Sequence, residues 1–202
     1  MDARGWDQRY AASDLVWSAG PNRTVADQVS GLQPGSALDL ACGEGRNALW
    51  LAEQGWTVTG VDFSSVAIEK ARTAAAQRGL DVRLLVADVT RWQPGRTFDL
   101  VVVAYLQLPE EQLRQALGTA AAALAPGGTF LLVAHDLTNL DGGVGGPQDP
   151  AVLQTPAQVT SLLHSLQVQV AERVRRPVEV DGKLRYAIDT LVCATAPEVA
   201  SR

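Results

Sequence analysis

The chain has 202 residues, 47% of them apolar, a size and composition that suit one domain around a single substantial core. A formal net charge of −5 argues against a nucleic-acid backbone or an anionic membrane as the main partner, because an acidic surface repels polyanions. Cys42 and Cys193 stand far apart without metal-ligand spacing, so no metal is expected and a reducing cytoplasm is the simplest setting. The first residues scatter charges where a signal peptide needs an apolar run, and nothing approaches the roughly 20 apolar residues that span a bilayer. A soluble monomer or dimer is expected.

Residues 1–34 read as an irregular cap on a core formed by 35–202. Trp6, Tyr10 and Trp17 stand among polar residues there, either covering an edge of the core or facing a site. Gln33-Pro34-Gly35 then punctuates the entry to a short apolar run ending near Asp39 and Leu40, and Gly43 and Gly45 follow in a tight loop. A helix is predicted from about Asn47 to Gly55. Thr57–Asp62 is the next strand, Ser64-Ser65 caps an alanine-rich helix stopping at Gly79, and Val82–Val89 gives a third strand.

Phe98–Ala104 is apolar on both faces, as a central parallel strand requires. Pro109-Glu110-Glu111 opens a helix that ends at Ala125–Gly128, and Thr129–Ala134 is the fifth strand. Thr155-Pro156-Ala157-Gln158 has the residues of a capping box, with its helix running to about Leu166. Two β-rich stretches, Val168–Val180 and Tyr186–Ala194, flank Asp181-Gly182, a hairpin signal. The charged alternation Glu172–Arg176 reads as a solvated strand face.

Three strands in succession end in an acid: Asp39, Asp62 and Asp88. Glycines at 43 and 45 permit positive φ and let a ligand approach backbone N–H groups, and a carboxylate at the tip of the second strand suits a ribose diol. The loop alone also satisfies the loose glycine fingerprint of dinucleotide enzymes. A nicotinamide-dependent oxidoreductase, an NAD(P) enzyme, therefore stays open, as does a noncatalytic nucleotide-binding protein.

From Trp6 to about Ala196 the chain resembles the class I S-adenosylmethionine-dependent methyltransferases, most closely the small-molecule branch of tellurite-resistance and thiopurine methyltransferases. Asp39–Gly45 matches the family's first motif, with Ala41 where many members carry glycine. Asp62-Phe63, Asp88-Val89 and Ala104–Pro109 match the next three, and the Pro126-Gly127-Gly128 turn also fits. The resemblance implies a doubly wound α/β, Rossmann-like sheet of seven strands with the last antiparallel. It implies S-adenosylmethionine as cofactor, S-adenosylhomocysteine as product, and a small thiol, chalcogen or hydroxyl acceptor.

It places Asp39 near the amino end of the methionine moiety and the Ala41, Gly43 and Gly45 backbone along the cofactor. Asp62 holds the ribose, Asp88 and Val89 read the adenine edge, Phe63 covers a ring face, and Ala104 borders the site. In the resembled branch an N-terminal segment folds over the cofactor, which would turn Tyr10 and Trp17 toward it.

His135-Asp136 closes the fifth strand, where open α/β sheets bind ligands, and is the catalytic candidate, His135 as a proton acceptor. The alternative is that His135 only braces the glycine-rich loop Gly142–Pro150, a segment long enough to be a lid. Cys42 is expected to be a small packing residue. An oxyanion acceptor would need basic residues near the site, and none is evident in the sequence.

Overall fold

The computed structural model describes residues 3–12 and 20–198. Seven strands form one sheet in the order β3-β2-β1-β4-β5-β7-β6. They are β1 Ser36–Leu40, β2 Thr57–Asp62, β3 Arg83–Val86, β4 Phe98–Ala104, β5 Leu124–His135, β6 Gln167–Val180 and β7 Lys183–Thr195. β1 to β5 run parallel, and β7 lies antiparallel between β5 and β6. This is the expected class I methyltransferase architecture. Strand order reverses between β1 and β4, which opens a crevice at the carboxyl ends of those strands.

The helices are α1 Ala3–Ala11, α2 Arg23–Val29, α3 Arg46–Glu53, α4 Ser65–Gln77, α5 Glu110–Ala122, α6 Asn139–Gly142 and α7 Pro156–Leu162. Several starts obey local chemistry. The Ser64 hydroxyl accepts from the Ala67 amide at α4, and Thr155 accepts from the Gln158 amide at α7. Leu100 to Val103 of β4 are almost wholly buried, since helices cover both faces of a parallel sheet. Asp181 and Gly182 make the β6–β7 turn with φ of 50° and 69°, the left-handed pair that a two-residue hairpin demands.

Boundaries depart from expectation in three places. β3 stops at Val86, α7 ends at Leu162, and β5 starts at Leu124, with its pairing to β4 shifting register between Phe98 and Leu100. Gly127 (φ 71°) and Gly128 absorb that shift, and a Cβ on Gly128 would come within 2.8 Å of the Ala125 carbonyl oxygen. The β5–β7 register sets His135 directly opposite Asp189. That pairing organises the site.

Candidate functional site

After β1 the chain turns through Ala41, Gly43 and Gly45, all with positive φ (66°, 54° and 82°). Ala41 and Cys42 both donate backbone N–H bonds to the Val61 carbonyl, at 2.8 and 3.0 Å, which ties the loop to β2. A non-glycine residue in the left-handed region costs on the order of 1–3 kcal/mol, strain that this double anchor holds in place. A Cβ on Gly43 would stand 2.8 Å from the Tyr10 hydroxyl, so α1 reaches directly over the loop.

Two contacts keep α1 there. Asp7 accepts from the Ser64 hydroxyl at 2.5 Å and Lys70 Nζ donates to the Tyr10 carbonyl at 2.5 Å, while within α1 the Trp6 and Tyr10 rings lie with centroids 5.6 Å apart. Trp17, expected beside Tyr10, lies outside the described residues.

Asp39 is 1% exposed, and neither carboxylate oxygen has a well-formed hydrogen bond among the described residues. Burial pushes its carboxyl up to about 7, and the Ala48 amide and Arg46 guanidinium offset only part of that. An orphaned acid beside a glycine loop fits a ligand ammonium, which would restore the carboxylate's partner. Because the folded-state value lies above the unfolded one, Asp39 stabilises the fold at low pH and loses that contribution as pH rises through about 7.

Urea unfolding at about pH 5 and about pH 8 is expected to show a drop of order a few kcal/mol from this group, and Asp39→Asn removes it. An identical pH dependence in the variant would contradict this account of Asp39.

Asp62, at the end of β2, accepts from the Gly43 amide at 2.8 Å and the Ser64 amide at 2.9 Å. Burial raises its carboxyl despite those two bonds. Asp62 therefore clamps loop to strand in addition to facing the cleft. Asp88 is exposed and accepts from the Thr90 amide and hydroxyl through Oδ1. Burial drives the Cys42 thiol well above its usual range, so Cys42 is a packing residue rather than a nucleophile.

The crevice has two lobes that share Ala41, Phe63, Leu106, Gln107 and Leu108. One is bounded by Trp6, Tyr10, Gly43, Arg46, Asp62 and Ala104, the other by Asp88, Val89 and Thr90. The first has charged and backbone groups suited to an amino-acid tail and the ribose next to it. The second is largely apolar, suited to a base.

A further cavity adjoins the first lobe, with Arg46 and Tyr105 lining both. It also contains Asn22, His135 and Arg176. Tyr105 sits at positive φ (56°) just past β4, and its hydroxyl donates to Asp189 Oδ2 at 2.7 Å. That hydroxyl accepts from Asn22 Nδ2 at 3.0 Å and Arg176 Nε at 2.9 Å. Arg176 Nε is also 2.7 Å from Asp189 Oδ2.

His135 Nδ1 lies 3.4 Å from Asp189 Oδ1, longer than a well-formed hydrogen bond but close enough for a small ring rotation to close it. The His135 and Tyr105 rings are 4.7 Å apart, and a Cβ on Gly146 would stand 3.0 Å from His135 Nδ1. The glycine-rich loop thus packs against the imidazole.

A family model described as a methyltransferase domain matches residues 37–128, the stretch that builds this crevice. The chain belongs to the class I S-adenosylmethionine-dependent methyltransferases. It is 32% identical over 151 residues to 2-heptyl-1-hydroxyquinolin-4(1H)-one methyltransferase of Mycobacteroides abscessus, covering 71% of this chain and 66% of that one. The matches span from about a third to two thirds of the lengths of such curated relatives.

The fold of this methyltransferase is similar to that of N-methyltransferase NodS from Bradyrhizobium japonicum, solved with S-adenosylhomocysteine. That likeness has a TM-score of 0.74 and 20% identity, and covers 98% of this chain and 100% of that one. A structure solved in work on converting a disulfide bond into a thioacetal group during echinomycin biosynthesis overlays with a TM-score of 0.77. It is 23% identical and covers 98% of this chain and 94% of that one.

In this methyltransferase, Tyr10, Ala41, Gly43, Asp62, Phe63, Asp88, Val89 and Ala104 line the two lobes, whereas Gly45 packs toward Ala71 of α4 and Asp39 is buried, neither of them lining a lobe. Asp136 behaves differently from its neighbour. Its carboxylate is fully buried and taken up by Arg173, Thr138 and Thr190, so it braces β5 against the next loop and stays out of the cavity. The solvated-face reading of Glu172–Arg176 needs correction at Arg173 and Arg176, which pair with the buried Asp136 and Asp189. Sequence reasoning also missed Arg46, Asn22, Tyr105 and Asp189. Arg46, adjoining Gly45, and Tyr105, within the Ala104–Pro109 segment, carried a local signal.

Proposed function

We propose that the protein transfers a methyl group from S-adenosylmethionine to a small-molecule acceptor held in the His135 cavity. The observation that carries this reading is the continuity of the two spaces: Arg46 and Tyr105 wall both the lobe beside the glycine loop and the cavity containing His135. The bound cofactor supplies an already activated methyl group, so the protein needs mainly alignment and exclusion of water.

Asp39, Asp62 and the loop amides orient the donor, with Phe63 and Asp88 at the base, while Trp6 and Tyr10 cover it. His135 has Nδ1 3.4 Å from Asp189 Oδ1 and no hydrogen-bond partner on Nε2 among the described residues, which suits removal of a proton from an attacking hydroxyl or thiol. The acidic surface and the hydroxyquinolinone relative support a small acceptor rather than nucleic acid. No helix among the described residues is long and apolar enough to cross a membrane, and with two free cysteines this supports a cytoplasmic setting.

The test is formation of S-adenosylhomocysteine from S-adenosylmethionine with a panel of phenolic, thiol and N-hydroxy acceptors that includes 2-heptyl-1-hydroxyquinolin-4(1H)-one. Acceptor-dependent product is expected. Product no higher than the acceptor-free background across the panel would contradict catalysis.

A further inference from the structure

Resting on that reading, we propose that the acceptor carries a carboxylate that docks on the outward guanidinium nitrogens of Arg176. Arg176 Nε is committed to Asp189 and the Tyr105 hydroxyl, whereas Nη1 and Nη2 have no partner among the described residues. Its side chain is 26% exposed, and Arg176 is one of the residues that line the cavity. Two parallel N–H donors in a plane match the two oxygens of a carboxylate, a geometry that a point charge such as lysine cannot offer.

The surrounding charge points the same way. Among the described residues, Arg23, Arg46, His135 and Arg176 line the cavity and no acid does, although the chain as a whole is acidic. The nearest compensating group, Asp189, is fully buried behind Arg176 and faces the cavity with none of its surface. Arg46 also borders the cofactor lobe and suits the cofactor's own carboxylate, whereas Arg176 borders only the acceptor side. Asp189 is thus a positioning residue: it fixes the guanidinium through Nε and so aims the remaining fork into the cavity. The docked carboxylate is an anchor and takes no part in bond making.

The probes are benzoate and benzamide, nearly equal in shape and different in charge, titrated calorimetrically into protein saturated with S-adenosylhomocysteine. Benzoate is expected to bind about tenfold more tightly than benzamide. Arg176→Gln abolishes the preference, and Arg176→Lys restores part of it by charge without the fork. The affinity for S-adenosylhomocysteine stays unchanged in both variants. Equal binding of the two probes, no binding of benzoate, or an unchanged preference in Arg176→Gln would overturn the proposal. Equal binding of the two probes by the wild-type protein overturns the proposal even where a variant fails to fold. Failure of the wild-type protein to bind S-adenosylhomocysteine would instead overturn the methyltransferase reading.

Discussion

His135→Ala lowers turnover by about 10²-fold or more on a hydroxyl acceptor of high pKa, the usual range for a positioned proton acceptor, with cofactor affinity nearly unchanged. The expectation follows from β-sheet register. Pairing β5 with β7 sets His135 opposite Asp189, and the imidazole then lines the acceptor cavity rather than the cofactor lobes. Gly146 packs against the other side of the ring, so a bracing role is the competing account.

The two accounts differ in kinetic signature. Loss of a proton acceptor lowers kcat, whereas loss of a brace loosens the loop and raises KM or lowers thermal stability with kcat retained. The acceptor must not ionise readily, because an acidic thiol attacks without a base. Near-full turnover on a high-pKa hydroxyl would reduce His135 to scaffolding.

Asp189→Asn destabilises the fold by about 3 kcal/mol, in the lower part of the range for breaking a buried charge pair, since Arg176 keeps some contact with water. Burial alone would raise the Asp189 carboxyl, but His135, Arg176 and Tyr105 outweigh it and hold it below the usual carboxylate range. A depressed folded-state value contributes stability above the unfolded value and loses it as pH falls through the folded one. The gap between wild type and variant in urea unfolding therefore closes in acid and is full near neutrality. A difference below about 1 kcal/mol near neutrality, the size of one ordinary hydrogen bond, would contradict the hub role. Half-buried Tyr105 responds in the same variant, because desolvation and the neighbouring Asp189 charge together raise its phenol.

What the sequence made legible is local. Apolar runs ending in Asp39, Asp62 and Asp88, the Ser64 and Thr155 caps and the Asp181-Gly182 turn each act through neighbours a few residues away, so their spacing alone carries the information. The acceptor cavity is assembled differently. Asn22, Tyr105, His135, Arg176 and Asp189 come from five separate segments, and only the antiparallel register of β7 decides that Asp189 meets His135 and Arg176. Asp189 sits in a stretch with no flanking motif. Arg176 shares its run with Arg173 and Arg175, and one of these pairs with Asp136 while the other lies over the Tyr186 ring. Charge alternation on an edge strand does not show which of three arginines turns inward. Asp136 adjoins His135 at the same strand end, and only its partners Thr190, Thr138 and Arg173, the first and last of them distant in sequence, keep it out of the cavity.

The central claim is that the crevice at β1, β2 and β4 holds S-adenosylmethionine and not a dinucleotide. Paired calorimetric titrations with S-adenosylhomocysteine and with NADH test it most directly. The account predicts saturable one-to-one binding of S-adenosylhomocysteine, weakened in Asp62→Ala by about 1.5–3 kcal/mol, the scale of hydrogen bonds to a charged group, and no saturable binding of NADH. Binding of NADH with no heat from S-adenosylhomocysteine would contradict it.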